Sequence, residues 1–182
     1  MVKLNKAPGS VALNEDQPPA AIIRLRGASA FALAALGAAL GIALPETPNT
    51  YARAGATLVC WLAPGEWAII GAAIGDVRHS VQSLGEECTY HVADMSGAWL
   101  RWRLTGDRAA ELLNKGCSLD LDPVSSSEVA CARTLLGQVS ILLVRNVDGW
   151  DIFAERALSA HIRAWFKRAA RGCCQLEELR AP

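Results

Sequence analysis

Histidine, cysteine and carboxylate side chains are the groups in this 182-residue chain that could do chemistry, and their spacing limits what they can do. The three histidines are His79, His91 and His161, and none lies at metal-ligand spacing from another histidine or from a cysteine. His79 falls on the polar side of an expected helix and His161 beside the apolar stripe of another, so surface and packing roles are expected. The six cysteines, Cys60, Cys88, Cys117, Cys131, Cys173 and Cys174, include no C-x-x-C pair. Cys60 and Cys131 lie inside apolar strand-like runs, where a free thiol behaves as a small hydrophobe. Cys117 sits in Lys115-Gly116-Cys117-Ser118-Leu119-Asp120-Leu121. A nucleophilic role would need a base or a cation to lower its pKa, and Lys115 is the only local one. A glycine just after a helix end argues instead for a structural turn. Asp94 ends a strand in V-A-D-M-S-G. A carboxylate there can act as a general base or cap the next turn, and the turn is the simpler assignment. There is no G-x-G-x-x-G, no G-x-x-x-x-G-K-S/T and no G-x-S-x-G. No catalytic, cofactor-binding or metal-binding residue is therefore assigned.

The elements that must position these groups centre on Thr57 to Gly71. Two nearly unbroken apolar runs flank Ala63-Pro64-Gly65-Glu66. Proline presets φ at the second position of a β-turn and glycine accepts the positive φ of a type II turn. Strand, tight turn, strand follows, with Trp61 and Trp67 on either side and both faces covered. Before it, Ala21–Arg26 alternates as a strand, Gly27 ends it, and Ser29 can cap a helix. Leu33, Leu36, Leu40 and Leu44 recur at helical spacing until Pro45. Ala28 to Leu44 is read as a core helix rather than a membrane span, since alanine and glycine dominate it. Glu46 to Gly55 reads as a polar loop. Asp76 caps a short helix carrying Val77, Val81 and Leu84, and Thr89–Met95 is the next strand. This is β-α-β-β-α-β order.

Residues 98–172 repeat it in outline. Ala98–Leu104 alternates, Asp107 caps a helix that stops at Gly116, and strands follow over 129–135, 139–145 and 150–154. Asp148-Gly149 turns the last pair. A final helix from about Arg156 carries Leu158, Ile162, Trp165, Phe166 and Ala169 on one stripe. Arg24-Leu25-x-Gly27 and Arg103-Leu104-x-Gly106 open the two halves alike. The fold class is therefore α+β, two fused ferredoxin-like (βαββαβ-type) halves. The expected boundaries are an extended arm over 1–20, a single pseudo-duplicated domain over 21–172 with halves 21–97 and 98–172, and a tail over 173–182.

Hydrophobic residues make up 52% and charged residues 20%, enough for a core and for surface buried against partners. The formal net charge is zero, which argues against nucleic acid as the main ligand. Met1 to Asn14 lacks a long apolar core, so no signal peptide is expected, and a reduced, cytoplasmic protein is favoured over a disulfide scaffold.

Five stretches in order carry a resemblance: W-L-A-P-G-E-W at Trp61–Trp67, V-A-D-M-S at Val92–Ser96, K-G-C-S-L-D-L at Lys115–Leu121, T-L-L-G at Thr134–Gly137 and D-G-W-D-I-F at Asp148–Phe153. From about Ala21 to Arg171 the chain resembles the gamma subunit of heterotetrameric sarcosine oxidase. That family more often has W-L-G-P-D-E-W; here Ala63 replaces the glycine and Gly65 the aspartate. The resemblance implies a fold similar to the folate-binding domain of glycine-cleavage aminomethyltransferases. It also implies a non-catalytic interaction subunit among alpha, beta and delta partners. FAD, FMN and NAD would be carried by alpha and beta, tetrahydrofolate by alpha and zinc by delta, with no cofactor on this chain. The complex would oxidise sarcosine to glycine, with hydrogen peroxide and formaldehyde or 5,10-methylenetetrahydrofolate. Trp61, Trp67, Trp99, Trp150, Gly116 and Cys117 are the candidate interface residues. Two alternatives stay open. One is a stand-alone tetrahydrofolate-binding one-carbon protein with Asp94 as acid/base; the other is the gamma subunit of an oxidase for another N-methylated amine.

Overall fold

The computed structural model describes residues 9–85, 88–121 and 130–180. In chain order the elements are β1 (Ser10–Asp16), β2 (Ala20–Arg26), α1 (Ala30–Leu40), β3 (Tyr51–Ala54), β4 (Thr57–Ala63), β5 (Glu66–Ile70), α2 (Ile74–Gln82) and β6 (Thr89–Asp94). Then come β7 (Trp99–Thr105), α3 (Ala109–Asn114), β8 (Cys131–Leu136), β9 (Val139–Asn146), β10 (Gly149–Glu155), α4 (Ser159–Ala170) and β11 (Gln175–Arg180). Among the described residues, 17–99 and 130–132 form one unit; 9–16, 100–121 and 133–180 form the other.

The first unit is an antiparallel sheet in the order β3-β4-β5-β2-β6. Without β3 this is the ferredoxin-like order expected of β-α-β-β-α-β. Ile23, Leu25, Val59, Trp67 and Ile69 meet Ala32 and Leu36 of α1 and Val77 and Val81 of α2. β5 is buried at every position: the apolar run 67–70 predicts this for four of them, and Glu66 is buried with its carboxylate on Arg24. Gly65 has φ +70°, and a Cβ there would lie 2.5 Å from the Leu25 carbonyl oxygen. The Leu25 N–H donates to the Gly65 carbonyl at 2.8 Å, so the Pro64-Gly65 tip is fastened onto β2.

Ser29 caps α1, its Oγ accepting the Ala32 N–H at 3.1 Å. The helix does not run to Pro45. Gly41 adopts φ +67°, and the Gly41 and Ile42 N–H groups return to the carbonyls of Ala38 and Gly37, a glycine stop of the Schellman kind. The expected cap Asp76 lies instead in the first turn of α2, where its charge suits the helix dipole, and Ala73 holds the cap position. The expected polar loop over 46–55 contains β3, which pairs with β4 from Tyr51↔Cys60 to Ala54↔Thr57.

The second unit is a six-stranded sheet in the order β11-β1-β7-β10-β9-β8. Its core joins Trp102, Leu104 and Ile152 to Leu112 and Leu113 of α3 and Ile162 and Phe166 of α4. The extended arm expected over 1–20 is corrected here for its described part. Ser10–Asp16 is a strand antiparallel to β7 and parallel to β11, with Val11 and Leu13 in the core. The tail expected from 173 onward contains β11, whose partner is β1. Arg108, not Asp107, precedes α3, and its guanidinium grips Glu111 with two bonds of 2.7 Å. A 3₁₀ turn over Arg156–Leu158 leads into α4, so the helix begins later than Arg156 and Leu158 is off its buried stripe.

The repeat seen in sequence has a structural counterpart. Arg24 Nε lies 2.7 Å from Glu66 Oε2, and Arg103 Nε lies 2.8 Å from Asp151 Oδ1. Each pair joins the first strand of its half to the strand after the hairpin tip. In both halves the tip glycine presses on the first strand: a Cβ on Gly65 would meet the Leu25 carbonyl, and one on Gly149 would overlap the Leu104 carbonyl.

Candidate partner interface

Asp94 is exposed at the end of β6, and its Oδ1 accepts the Ser96 N–H at 3.0 Å. That bond holds its carboxyl below the usual carboxylate range. Ser96 Oγ accepts the Ala20 N–H at 3.1 Å, so the V-A-D-M-S turn ties the end of β6 to the start of β2. This is capping geometry, with the carboxylate already committed. Lys115 does not serve Cys117: its Nζ donates to the Ala169 carbonyl at 2.7 Å. Cys117 donates its N–H to Leu113 at 2.8 Å and forms a bridge to Leu136. His161 Nε2 lies 3.3 Å from the Gly137 carbonyl. Among the described residues, no three His, Cys, Asp or Glu side chains gather in a metal-binding group.

Gly116 has a different purpose from the one expected. α3 ends at Lys115 in right-handed conformation, and Gly116 is not in the left-handed region. What it provides is closeness: a Cβ would lie 2.6 Å from Cζ2 of Trp165. Gly137 meets the same indole, its Cβ position 2.6 Å from Cδ1 of Trp165, and its N–H donates to the Gly116 carbonyl at 3.0 Å. Trp165 therefore lies against two adjacent glycine backbones. The sequence placed Trp165 on the helix stripe but gave no sign of this pairing.

The four tryptophans named as interface candidates separate. Trp67 is 3% exposed and donates Nε1–H to the Pro45 carbonyl at 2.7 Å. Trp150 is 6% exposed in the core of its own unit, with Arg145 over its ring at 5.8 Å. Both are internal. Trp61 and Trp99 are half-buried and keep an accessible part.

The stretch Ala28 to Leu44, expected as a core helix, is core on one side only and leaves an apolar surface on the other. α1 contains no polar side chain. Only Ala32, Leu36 and Gly37 of the helix are buried, so it is core on one side alone. Its other side exposes Phe31, 73% accessible, with Ala34, Ala35, Ala38 and Ala39. Beside it, Leu33, Gly37, Ala38, Leu44 and Glu46 line a groove of about 510 Å³. A neighbouring cleft of about 420 Å³ shares Leu33 and Glu46 and adds Arg26 of β2 with Trp61 and Pro64 of the W-L-A-P-G-E-W hairpin. α4, by contrast, buries Ile162, Phe166 and Ala170 and exposes charge. The signal for α1 was in the sequence, as an apolar stretch without polar interruption. No helix among the described residues is long and apolar enough to cross a membrane.

Comparison with known proteins agrees with this architecture. The family described as "Sarcosine oxidase, gamma subunit family" matches residues 26–172. A solved structure of heterotetrameric sarcosine oxidase from Corynebacterium sp. U-96, in complex with pyrrole 2-carboxylate, is similar with a TM-score of 0.76 and 28% identity. It covers 88% of this chain and 84% of that one. Glycine cleavage system aminomethyltransferase T from Bartonella henselae shares the fold, with a TM-score of 0.57 at 14% identity over 94% of this chain and 48% of that one. A search of curated proteins finds no match. With a family match that spans both halves of the fold, including both hairpin tips and the Gly116 turn, the chain belongs to the sarcosine oxidase gamma subunit family.

Proposed function

We propose that this chain is a non-catalytic structural and interaction subunit of a heterotetrameric sarcosine oxidase complex, held by alpha, beta and delta partners. Oxidative demethylation of sarcosine to glycine, with hydrogen peroxide and formaldehyde or 5,10-methylenetetrahydrofolate, takes place on those partners. They carry FAD, FMN, NAD, tetrahydrofolate and zinc. The observation that supports this most is the outer side of α1. An exposed phenylalanine set among alanines, beside two grooves, leaves apolar surface in water that a subunit interface would remove. Small side chains let a neighbouring element approach the helix closely, and Trp61 at the groove edge offers an aromatic anchor.

The test is co-purification from the native host through a tag on this chain, with an absorbance spectrum of the eluate. Flavin-containing partners and sarcosine-dependent oxygen consumption are expected. Phe31→Asp should then weaken assembly at least about tenfold, since a charge would be buried unpaired. The melting temperature of the isolated chain should not change, because Phe31 is in solvent there. A chain that elutes alone, colourless, and binds tetrahydrofolate by calorimetry would replace this function with a stand-alone folate-binding one.

A further inference from the structure

We propose that Cys173 and Cys174 form a reversible intrachain disulfide, a modification site for which hydrogen peroxide is the oxidant. Side chains of neighbouring residues in a strand point to opposite faces. Here both cysteines lie in the bend between α4 and β11. The Cys173 and Cys174 N–H groups donate to one carbonyl, that of Ala170, at 3.1 and 3.2 Å. That shared acceptor wraps the two residues around a single turn and brings Sγ to Sγ at 3.3 Å. Cys173 is buried against the core of its unit, with its sulfur 3.6 Å from the Ala169 carbonyl. Cys174 is half-exposed and lines an open cleft of about 440 Å³ with Lys167, Arg171 and Leu176. One sulfur is accessible to a small oxidant and the other stands ready behind it.

The chemistry balances in two steps. The Cys174 thiolate attacks peroxide; an S–O bond forms, the O–O bond breaks, and hydroxide leaves and takes up a proton. The Cys173 sulfur then attacks the sulfenic acid; the S–S bond forms, the S–O bond breaks, and water leaves with the Cys173 proton. Two thiols are oxidised and one peroxide is reduced to water. Adjacent Cα atoms stand about 3.8 Å apart, closer than the usual separation across a disulfide, so the ring is strained and easily reduced again. Burial, and the hydrogen bond and charge of Cys173, push the Cys174 thiol up to about 11, with Lys115 and Arg108 opposing. The cleft adds Lys167 and Arg171 from the end of α4. The oxidation should therefore quicken about tenfold per pH unit across the neutral range, as the thiolate fraction does. Closing the ring draws the Cys173 sulfur from its core contacts, next to the first pairing of β11 with β1, Ser10↔Gln175. Added peroxide suffices, whether or not a neighbouring subunit makes it.

The sequence makes the test clean. Trypsin cuts after Arg171 and Arg180, and the peptide between holds both cysteines and no internal lysine or arginine. The purified full-length chain is treated with peroxide, denatured, alkylated and digested. The peptide is expected two hydrogens lighter and unalkylated, and alkylated on both cysteines after dithiothreitol. Cys174→Ser should leave Cys173 alkylatable at the same dose. Alkylation of both cysteines after a dose that oxidises Cys117 would overturn the proposal. So would sulfinic acid at either position without the internal disulfide.

Discussion

Gly116→Ala should destabilise the chain through one contact, and that contact can be removed independently. The new methyl would lie 2.6, 2.9 and 3.0 Å from Cζ2, Cε2 and Nε1 of Trp165. Carbon atoms prefer about 3.5–4.0 Å, so the overlap approaches about 1 Å on a rigid ring. The indole has no room along the surface it lies on, because the Gly137 backbone occupies the adjoining part. Its escape is outward, away from the core of α3 and α4. Overpacking of this kind costs about 1–3 kcal/mol. Against it, alanine narrows the unfolded ensemble and returns about 0.4–1 kcal/mol, since Gly116 is not in a left-handed conformation. The net loss is about 1–2 kcal/mol. In a Trp165→Ala background the clash is gone and Gly116→Ala should become neutral or slightly stabilising. The double-mutant cycle, read by urea unfolding of the purified chain, should thus give a coupling of about 2 kcal/mol. Equal losses in both backgrounds would refute the close-approach account of this glycine. Gly137→Ala should lose more, because its φ is +55°, and Trp165→Ala should relieve only the clash.

Two further predictions concern charge. Asp151→Ala removes a carboxylate that is 1% exposed and takes from Arg103 its hydrogen-bonded partner, leaving only the charges of Asp148 and Asp16 near it. Losing one partner of a buried pair costs about 3–5 kcal/mol, and the 40% exposure of Arg103 lowers the expectation to about 2–3, read as a fall in melting temperature. Glu66→Gln, facing the more exposed Arg24, should shift it less; equal shifts would show that burial does not set the cost. Glu15 accepts hydrogen bonds from Arg163 and from Trp102 Nε1, and Arg163 chiefly holds its carboxyl below the ordinary glutamate value. A depressed carboxyl contributes stability above its unfolded pKa and loses it as pH falls through the folded one. The advantage of the wild type over Glu15→Gln should be steady at neutral pH and close in acid; an advantage that grows in acid would reverse the assigned sign.

The alternating and unbroken apolar runs made the strands from β4 to β10 legible, because both patterns are local. The repeated Arg-Leu-x-Gly was legible as a pattern and not as an ion pair, since Glu66 and Asp151 sit at different offsets from their hairpin glycines. β1 and β11 were hidden for a physical reason. S-V-A-L-N-E-D and Q-L-E-E-L-R carry few β-branched residues, and each becomes a strand by pairing with the other and, for β1, with β7. Gly116 and Gly137 look like turn glycines in sequence. Their shared neighbour Trp165 is distant along the chain, so nothing local announces it. The same holds for the tryptophans: type alone could not separate Trp67 and Trp150, which are internal, from Trp61 and Trp99.

β1 also governs the order in which the nascent chain can finish. It is synthesised before both of its neighbours, β7 and β11, which follow many residues later in the chain. While the ribosome builds 17–99, whose strands pair with one another, β1 has no strand beside it. Asn14, Glu15 and Asp16 at its end give that waiting strand the polarity that discourages pairing with other chains. Translation that stops before Gln175 leaves β1 as the bare margin of its sheet, held on one side only. β11 therefore closes that margin, and a product truncated before it carries an open strand edge for chaperones or proteases to find.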